Sequence, residues 1–281
     1  MPEAASRVTS IRVARKGGTE EVLRAVPAEV PVALTHDGSS YAVMLASPVD
    51  LEDYGIGFSF TEGVVKSAAD IRDLEIVEHD DGLEVRMWLT PDPSRQLVAR
   101  RRRILGPTGC GLCGVESLEG AAPDLPVVGA GITVSPSEIH AALDALGPLQ
   151  VIGRETRAVH AAAFWRRGEG LVAVREDVGR HNALDKVVGS ILRSGGNGAD
   201  GMVVLTSRVS VELVQKTARL GASILLAVSA PTSLALRTAE AAGITVVAVA
   251  RDDAFEIFTH PHRIAVDGNE KNRSESFGHV A

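Results

Sequence analysis

The chemistry available to this chain is concentrated around its two thiols. Cys110 and Cys113 stand in Thr108-Gly109-Cys110-Gly111-Leu112-Cys113-Gly114. The interleaved glycines let the backbone take positive φ and come close to a ligand. The run Arg100-Arg101-Arg102-Arg103 precedes the pair. Nearby cations lower a thiol's pKa and favour the nucleophilic thiolate. Such a cysteine suits attack on sulfur or carriage of a persulfide; a plain solvated loop is the bland reading of the arginines. Other uses of the pair fit less well. A structural zinc site wants four N or S ligands, and neither a second cysteine pair nor a histidine at ligand spacing is present. A thioredoxin-like pair follows a strand and opens a helix, whereas this one lies upstream of the βα alternation. A zinc nucleobase deaminase needs His-x-Glu before Pro-Cys-x-x-Cys. Here His160 follows the cysteines, Ala161-Ala162 follow it, and Cys110 is preceded by Gly109.

Four other segments are candidates for binding. Arg175-Glu176-Asp177-Val178-Gly179-Arg180-His181-Asn182-Ala183-Leu184-Asp185-Lys186 runs from a strand end into a helix. Ligands of open α/β sheets bind beyond the carboxyl ends of strands. Asp177 is placed to cap the helix, and His181 and Asp185 lie one turn apart on its polar face. The alternative is a capped helix with surface ion pairs. Thr206-Ser207-Arg208-Val209-Ser210 and Ser229-Ala230-Pro231-Thr232-Ser233 are further strand-to-helix junctions. Hydroxyls and backbone N–H groups there can hold an anion or simply cap. Phe258-Thr259-His260-Pro261-His262-Arg263 offers cations for phosphate and an aromatic for a base, or is an ordinary surface turn.

The elements that must position these residues follow from periodicity. A short strand is expected at Ser10–Ala14. Val30–Leu34 and Tyr41–Leu45 flank Asp37-Gly38, and Leu74–Glu78 and Leu83–Leu89 flank Asp81-Gly82, so both read as hairpins. Leu51, Tyr54 and Phe58 make a helix opened by Asp50. Pro91, Pro93 and Pro107 bound an irregular segment leading to the cysteines. Ser135-Pro136-Ser137-Glu138 is a capping box with proline at the first helical position; its helix should stop at Gly147-Pro148. Ala161–Trp165 and Leu171–Val174 read as paired strands. Met202–Leu205, Ile224–Val228 and Ile244–Val249 are continuous apolar strands alternating with helices. That pattern implies an α/β sheet covered on both faces.

Composition bounds the partners. The chain has 281 residues, a formal charge of -7 and only 4% aromatics. Net acidity argues against sequence-independent nucleic-acid binding over a large face. No apolar run reaches the roughly 18 residues of a membrane span, and residues 1–15 lack a signal-peptide core. A cytoplasmic protein is expected, in a reducing compartment where two cysteines report reactivity rather than a disulfide framework.

Together these segments resemble the formate dehydrogenase accessory sulfurtransferase family (FdhD). The likeness runs from Pro27 to Ile264, carried most specifically by Thr108–Gly114, Arg175–Gly189, Val209–Lys216 and Val228–Ser233, with Glu62-Gly63 and Thr259-His260-Pro261. One departure is visible: Arg157-Ala158 stand where this family often has two glycines before His160, which bears on the local backbone shape. The resemblance implies a cytidine-deaminase-like three-layer α/β fold over residues 131–266, with helices on both faces. A smaller β-rich region, 1–130, precedes it and ends in the cysteine loop, and a polar tail, 267–281, follows. It implies that a cysteine desulfurase donates sulfur to Cys110 as a persulfide, with Cys113 assisting. The cargo would be the molybdenum bis-guanine-dinucleotide cofactor, destined for formate dehydrogenase. Phe258, Thr259, His260, Pro261, His262 and Arg263 would bind its guanine nucleotide moiety. No structural metal is expected, and a homodimer is plausible. The competing reading is a non-catalytic cofactor-binding chaperone whose cysteines only hold the ligand.

Overall fold

A computed structural model describes residues 2–101, 125–251 and 253–266. The apolar runs of the second half form a six-stranded sheet. Its strands are β7 (His160–Arg166), β8 (Gly170–Asp177), β9 (Gly201–Leu205), β10 (Ile224–Ala227), β11 (Thr245–Ala248) and β12 (Glu256–Ile257), in the order β12-β11-β10-β9-β7-β8. Strands β9, β10 and β11 are parallel. Strand β7 runs antiparallel to β8, as the tight hairpin between them requires, and also to β9, which is reached through a helical crossover from β8. Helices α5 (Arg180–Arg193), α6 (Val211–Leu220) and α7 (Ser233–Ala242) cover one face, packing Leu184, Val187, Leu213 and Ala239 on Phe164, Val203 and Leu225. Helix α3 (Pro136–Leu149) covers the other, with Ile139 and Leu146 against Trp165, Met202 and Val204. Each buried Leu, Ile, Val, Met or Phe among these contributes about 1.5–3 kcal/mol on burial. The mixed α/β class and the two covered faces are as expected.

The first half holds a four-stranded sheet, order β4-β3-β6-β5, built from β3 (Val30–His36), β4 (Ser39–Ala46), β5 (Ile71–His79) and β6 (Gly82–Leu89). Val32, Leu34, Val85 and Met87 point inward onto α1 (Leu51–Thr61). Both expected hairpins are present, and β3 additionally pairs in parallel with β6. Helix α1 lies between this sheet and α5, which is why it is buried on both sides. A Cβ on Gly57 would stand 1.7 Å from the Asp185 carbonyl oxygen, and one on Gly189 1.8 Å from that of Asp53. Glycine at both positions lets the two backbones touch.

Three expectations change. Residues 91–101, read as irregular, form helix α2 (Pro91–Arg101); Pro91 and Pro93 sit in its first turn, where a missing N–H costs nothing. Helix α3 runs through Gly147-Pro148 to Leu149. Pro148 lies in the last turn, opposite the exposed Asp144, so the one carbonyl it orphans is solvated. A six-residue helix α4 (Val151–Thr156) follows, its first N–H groups bound by the Glu176 carboxylate at 2.7 and 2.8 Å. The short strand at Ser10–Ala14 is instead half of a nine-residue ribbon, β1 (Ala5–Val13) paired with β2 (Thr19–Pro27). Its alternation is hidden because most of its residues are exposed. No described helix is long and apolar enough to cross a membrane.

Candidate functional site

The carboxyl ends of β9 and β10 open a polar edge. Beyond them Thr206–Ser210 and Val228–Thr232 turn into α6 and α7. The turns are tied side by side by Val209 N to Ala230 O (3.2 Å) and Thr232 N to Val209 O (3.0 Å). The Thr232 hydroxyl caps α7, whereas Ser210 makes no side-chain cap. Because β7 is antiparallel, its first residue, His160, comes to the same edge, where Thr206 Oγ1 accepts from Ala161 N at 2.9 Å. Strand β8 ends there, and α5 begins there with Arg180 and His181.

The protonated form of two imidazoles is disfavoured at this edge. Burial, then the Arg180 and Lys216 charges, push His181 down to about 4. His160 is lowered by burial and by Arg180. His181 Nε2 lies 3.3 Å from Ser210 Oγ and 3.9 Å from Glu212. The buried Arg180 Nε has no hydrogen-bond partner among the described residues. Across the sheet edge a cavity of about 230 Å³ is lined by His140, Asp144, Gln150, Thr206, Val228 and Arg251. Beside it Val249, a β-branched residue, is held at φ 53, a costly left-handed conformation. No sequence signal marks His140 or Arg251; only the fold brings them together.

The segment Phe258–Arg263 does not join this edge. Phe258 N donates to Val246 O at 2.9 Å, and the chain continues toward the amino end of β11. There His260 Nε2 lies 3.0 Å from the Glu240 carbonyl, at the far end of α7. Phe258 and His262 are exposed, His260 half-buried and Pro261 exposed at the head of a short 3-10 turn. Thr259 is buried, its hydroxyl accepting from Val246 N and donating to Ile244 O. Arg263 is 5% exposed. Its guanidinium donates to the carbonyls of Gly129, Ala130 and Gly243 at 2.8–2.9 Å and to Thr245. Arg263 therefore pins the chain that returns from the cysteine segment onto the sheet. Cys110 and Cys113 themselves lie outside the described residues, as do Arg102 and Arg103.

Asp177 and Asp185 are corrected. Asp177 does not cap α5, whose N-cap is Gly179 with no side-chain cap, and Asp185 lies on no solvated polar face. Asp177 is buried against Lys186 at 2.7 Å and accepts from Ser47 N, Gly179 N and Asn182. Lys186 also donates to Ser47 O, and Asn182 to Leu45 O while accepting from the Tyr54 hydroxyl. Asp185 is buried against Lys216 at 2.8 Å and accepts from Thr61. Asp53 of α1 binds Arg175 and Arg193 at 2.6 and 2.7 Å. These three clusters join the first half of the chain to α5. The contacts of Asp177 with Ser47, of Asp185 with Thr61 and of Asp53 with the two arginines escape sequence reasoning because the partners lie about 120 to 140 residues apart.

The chain resembles known proteins along nearly its full length. A model of the FdhD/NarQ family matches residues 27–265. A sulfur carrier protein FdhD of Agrobacterium fabrum is 51% identical over 265 residues, 93% of this chain and 97% of the relative. That of Brucella abortus is 49% identical over 251 residues, 89% and 93% of the two chains. A crystal structure described as a formate dehydrogenase accessory protein from Desulfotalea psychrophila superposes with a TM-score of 0.73 at 28% identity, covering 93% of this chain and all of the other. With the family pattern matched from the start of the four-stranded sheet to the turn that Arg263 pins, this chain belongs to the FdhD/NarQ family.

Proposed function

We propose that this protein is a cytoplasmic sulfur carrier serving formate dehydrogenase, and that Cys110 carries the sulfur. The observation that supports it most is the 51% and 49% identity, over about nine-tenths of the chain, to relatives named sulfur carrier protein. In the first step the Cys110 thiolate attacks the outer sulfur of a cysteine desulfurase persulfide. A new S–S bond forms on Cys110, the donor's S–S bond breaks, and the donor leaves as a thiolate. In the second, Cys113 thiolate attacks the inner sulfur of the Cys110 persulfide. A Cys110–Cys113 disulfide forms, and the outer sulfur, reduced by two electrons, departs as sulfide to the cargo metal. A thiol reductant then resets the pair.

The cargo proposed is the molybdenum bis-guanine-dinucleotide cofactor. Phe258, His260 and His262 are the accessible or half-buried members of their segment that carry a ring able to stack or hydrogen-bond, and they would take a guanine moiety in that way. Thr259, Pro261 and Arg263 hold that segment in place. The polar edge at Arg180, His181 and Thr206 lies beyond the carboxyl ends of β8 and β9, so it is separated from the Phe258 segment both by the length of a strand, about 13 Å at ~3.3 Å per residue, and by two or more strand spacings of ~4.8 Å. The six-stranded unit is proposed as a cytidine-deaminase-type fold without the deaminase's metal ligands: His160 stands there with Ala161-Ala162 in place of x-Glu. The test is complementation. In cells lacking their own copy, wild-type protein should restore formate dehydrogenase activity and Cys110→Ala should not; full activity with Cys110→Ala would overturn the assignment.

A further inference from the structure

One buried hydroxyl joins the His260 turn to the chain that returns from the cysteine segment. Thr245, the first residue of β11, is fully buried. Its Oγ1 donates to the His260 carbonyl at 2.8 Å and accepts from Arg263 Nη1 at 3.1 Å. The same guanidinium donates to Ala130 O at 2.8 Å and to Gly129 O at 2.9 Å. The backbone repeats the tie. Val134 N donates to Arg263 O at 2.9 Å, and Ala265 N donates to Val134 O at 2.8 Å. At the other end of the return, Val128 N donates at 2.8 Å to the carbonyl of Ala242, the last residue of α7. Residues 128–134 are thus fastened at both ends, with Arg263 between.

His260 is the strained member of the group. Its φ of 45 lies in the left-handed region, which a non-glycine residue holds only where its surroundings fix it. Two bonds do so here. The Thr245 hydroxyl holds the His260 carbonyl, and the Glu240 carbonyl lies 3.0 Å from the ring Nε2. A turn held against its own preference is one of two arrangements, and a ligand that binds the held one shifts the balance toward it.

We propose that Thr245 is a positioning residue that makes the His260 turn and residues 128–134 one thermodynamic unit, so that a guanine nucleotide on the turn tightens the return of the cysteine segment. The inference rests on the reading of Phe258, His260 and His262 as guanine-binding. During sulfur transfer, bound cargo then fixes the place at which that return meets the sheet. The linkage is reciprocal: the factor by which a fastened return favours the nucleotide is the factor by which the nucleotide favours the fastened return.

The test is hydrogen exchange on the full chain with GDP as the probe, with binding followed by calorimetry in the same samples. In wild type, saturating GDP should slow exchange of the Val128 and Val134 amides about tenfold. The amides of Ile152 and Gly153, held instead by Glu176, should not change. Thr245→Val keeps the shape of the side chain without its hydroxyl. It should bind GDP within about fivefold of wild type, while the slowing at Val128 and Val134 falls below about twofold. Thr245→Ser returns the hydroxyl and should return the slowing. Three results would each overturn the proposal: GDP bound by wild type with no slowing at Val128 and Val134, equal slowing at Ile152 and Gly153, which is general stabilisation by a ligand, or full slowing in Thr245→Val. The wild-type comparison decides the linkage even if Thr245→Val does not fold. Absence of GDP binding to wild type is a separate result, which removes the guanine-binding segment and the linkage with it.

Discussion

Lys186 Nζ lies 2.7 Å from Asp177 Oδ2, and neither side chain is exposed to solvent. The pair joins β8 to α5, and through Ser47 it reaches the end of β4. Removing one partner of a buried pair strands the other charge. Lys186→Met should cost about 3–5 kcal/mol, measured by urea unfolding. Glu155→Ala, which removes only the exposed contact with Arg7, should cost under about 1 kcal/mol. Equal costs for the two would mean that the buried cluster does not hold the halves of the chain together.

The crossing of α1 and α5 depends on two missing side chains. Gly57→Ala and Gly189→Ala each drive a methyl into a carbonyl on the opposite helix. Backbone cannot rotate away as a side-chain tip can, so each should destabilise by about 3 kcal/mol, the upper end of overpacking. A loss below about 1 kcal/mol in thermal unfolding would show that the helices separate easily.

His181 gives the edge a pH dependence of defined sign. The folded protein holds its imidazole at about 4, against an ordinary 6.5. Between those values the unfolded chain binds a proton that the fold refuses, so this group's contribution falls as pH falls from 6.5 toward 4 and is constant outside that window. His181→Gln should therefore gain stability relative to wild type on acidification through that range. An imidazole resonance titrating near 6.5 would contradict the burial of His181 beside Arg180.

The guanine-binding proposal separates residues that hold from residues that touch. Arg263→Ala leaves three carbonyls without their donor and should cost about 1–3 kcal/mol. Phe258→Ala/His260→Ala should leave the melting temperature nearly unchanged but weaken GDP binding about tenfold in calorimetry. Unchanged GDP affinity in that double variant would remove the segment from the site.

What the sequence made legible was local. Asp81-Gly82 announces the β5–β6 hairpin and Ser135–Glu138 announces α3, because each motif satisfies its own neighbours. The apolar strands β9 to β11 were legible because both faces are buried. Asp177 and Asp185 misled because their charge signals a surface, while Ser47 and Thr61, which help to bury them, come from distant segments. Arg157 ends α4 in a left-handed conformation, φ 55, that its own sequence does not announce. Arg157→Gly should raise stability by up to about 1 kcal/mol, the relief of a left-handed residue less glycine's entropy; a loss of stability there would mean that the arginine side chain holds that turn.

Sulfur on Cys110 is the centre of the account, and intact-mass spectrometry reads it directly. After incubation with a cysteine desulfurase and cysteine, the wild type should gain the mass of one sulfur, removable by a thiol reductant. Cys110→Ala should gain none, and Cys113→Ala should gain the sulfur but release it poorly. An undiminished gain on Cys110→Ala would contradict the account and move the carrier role to Cys113 or elsewhere.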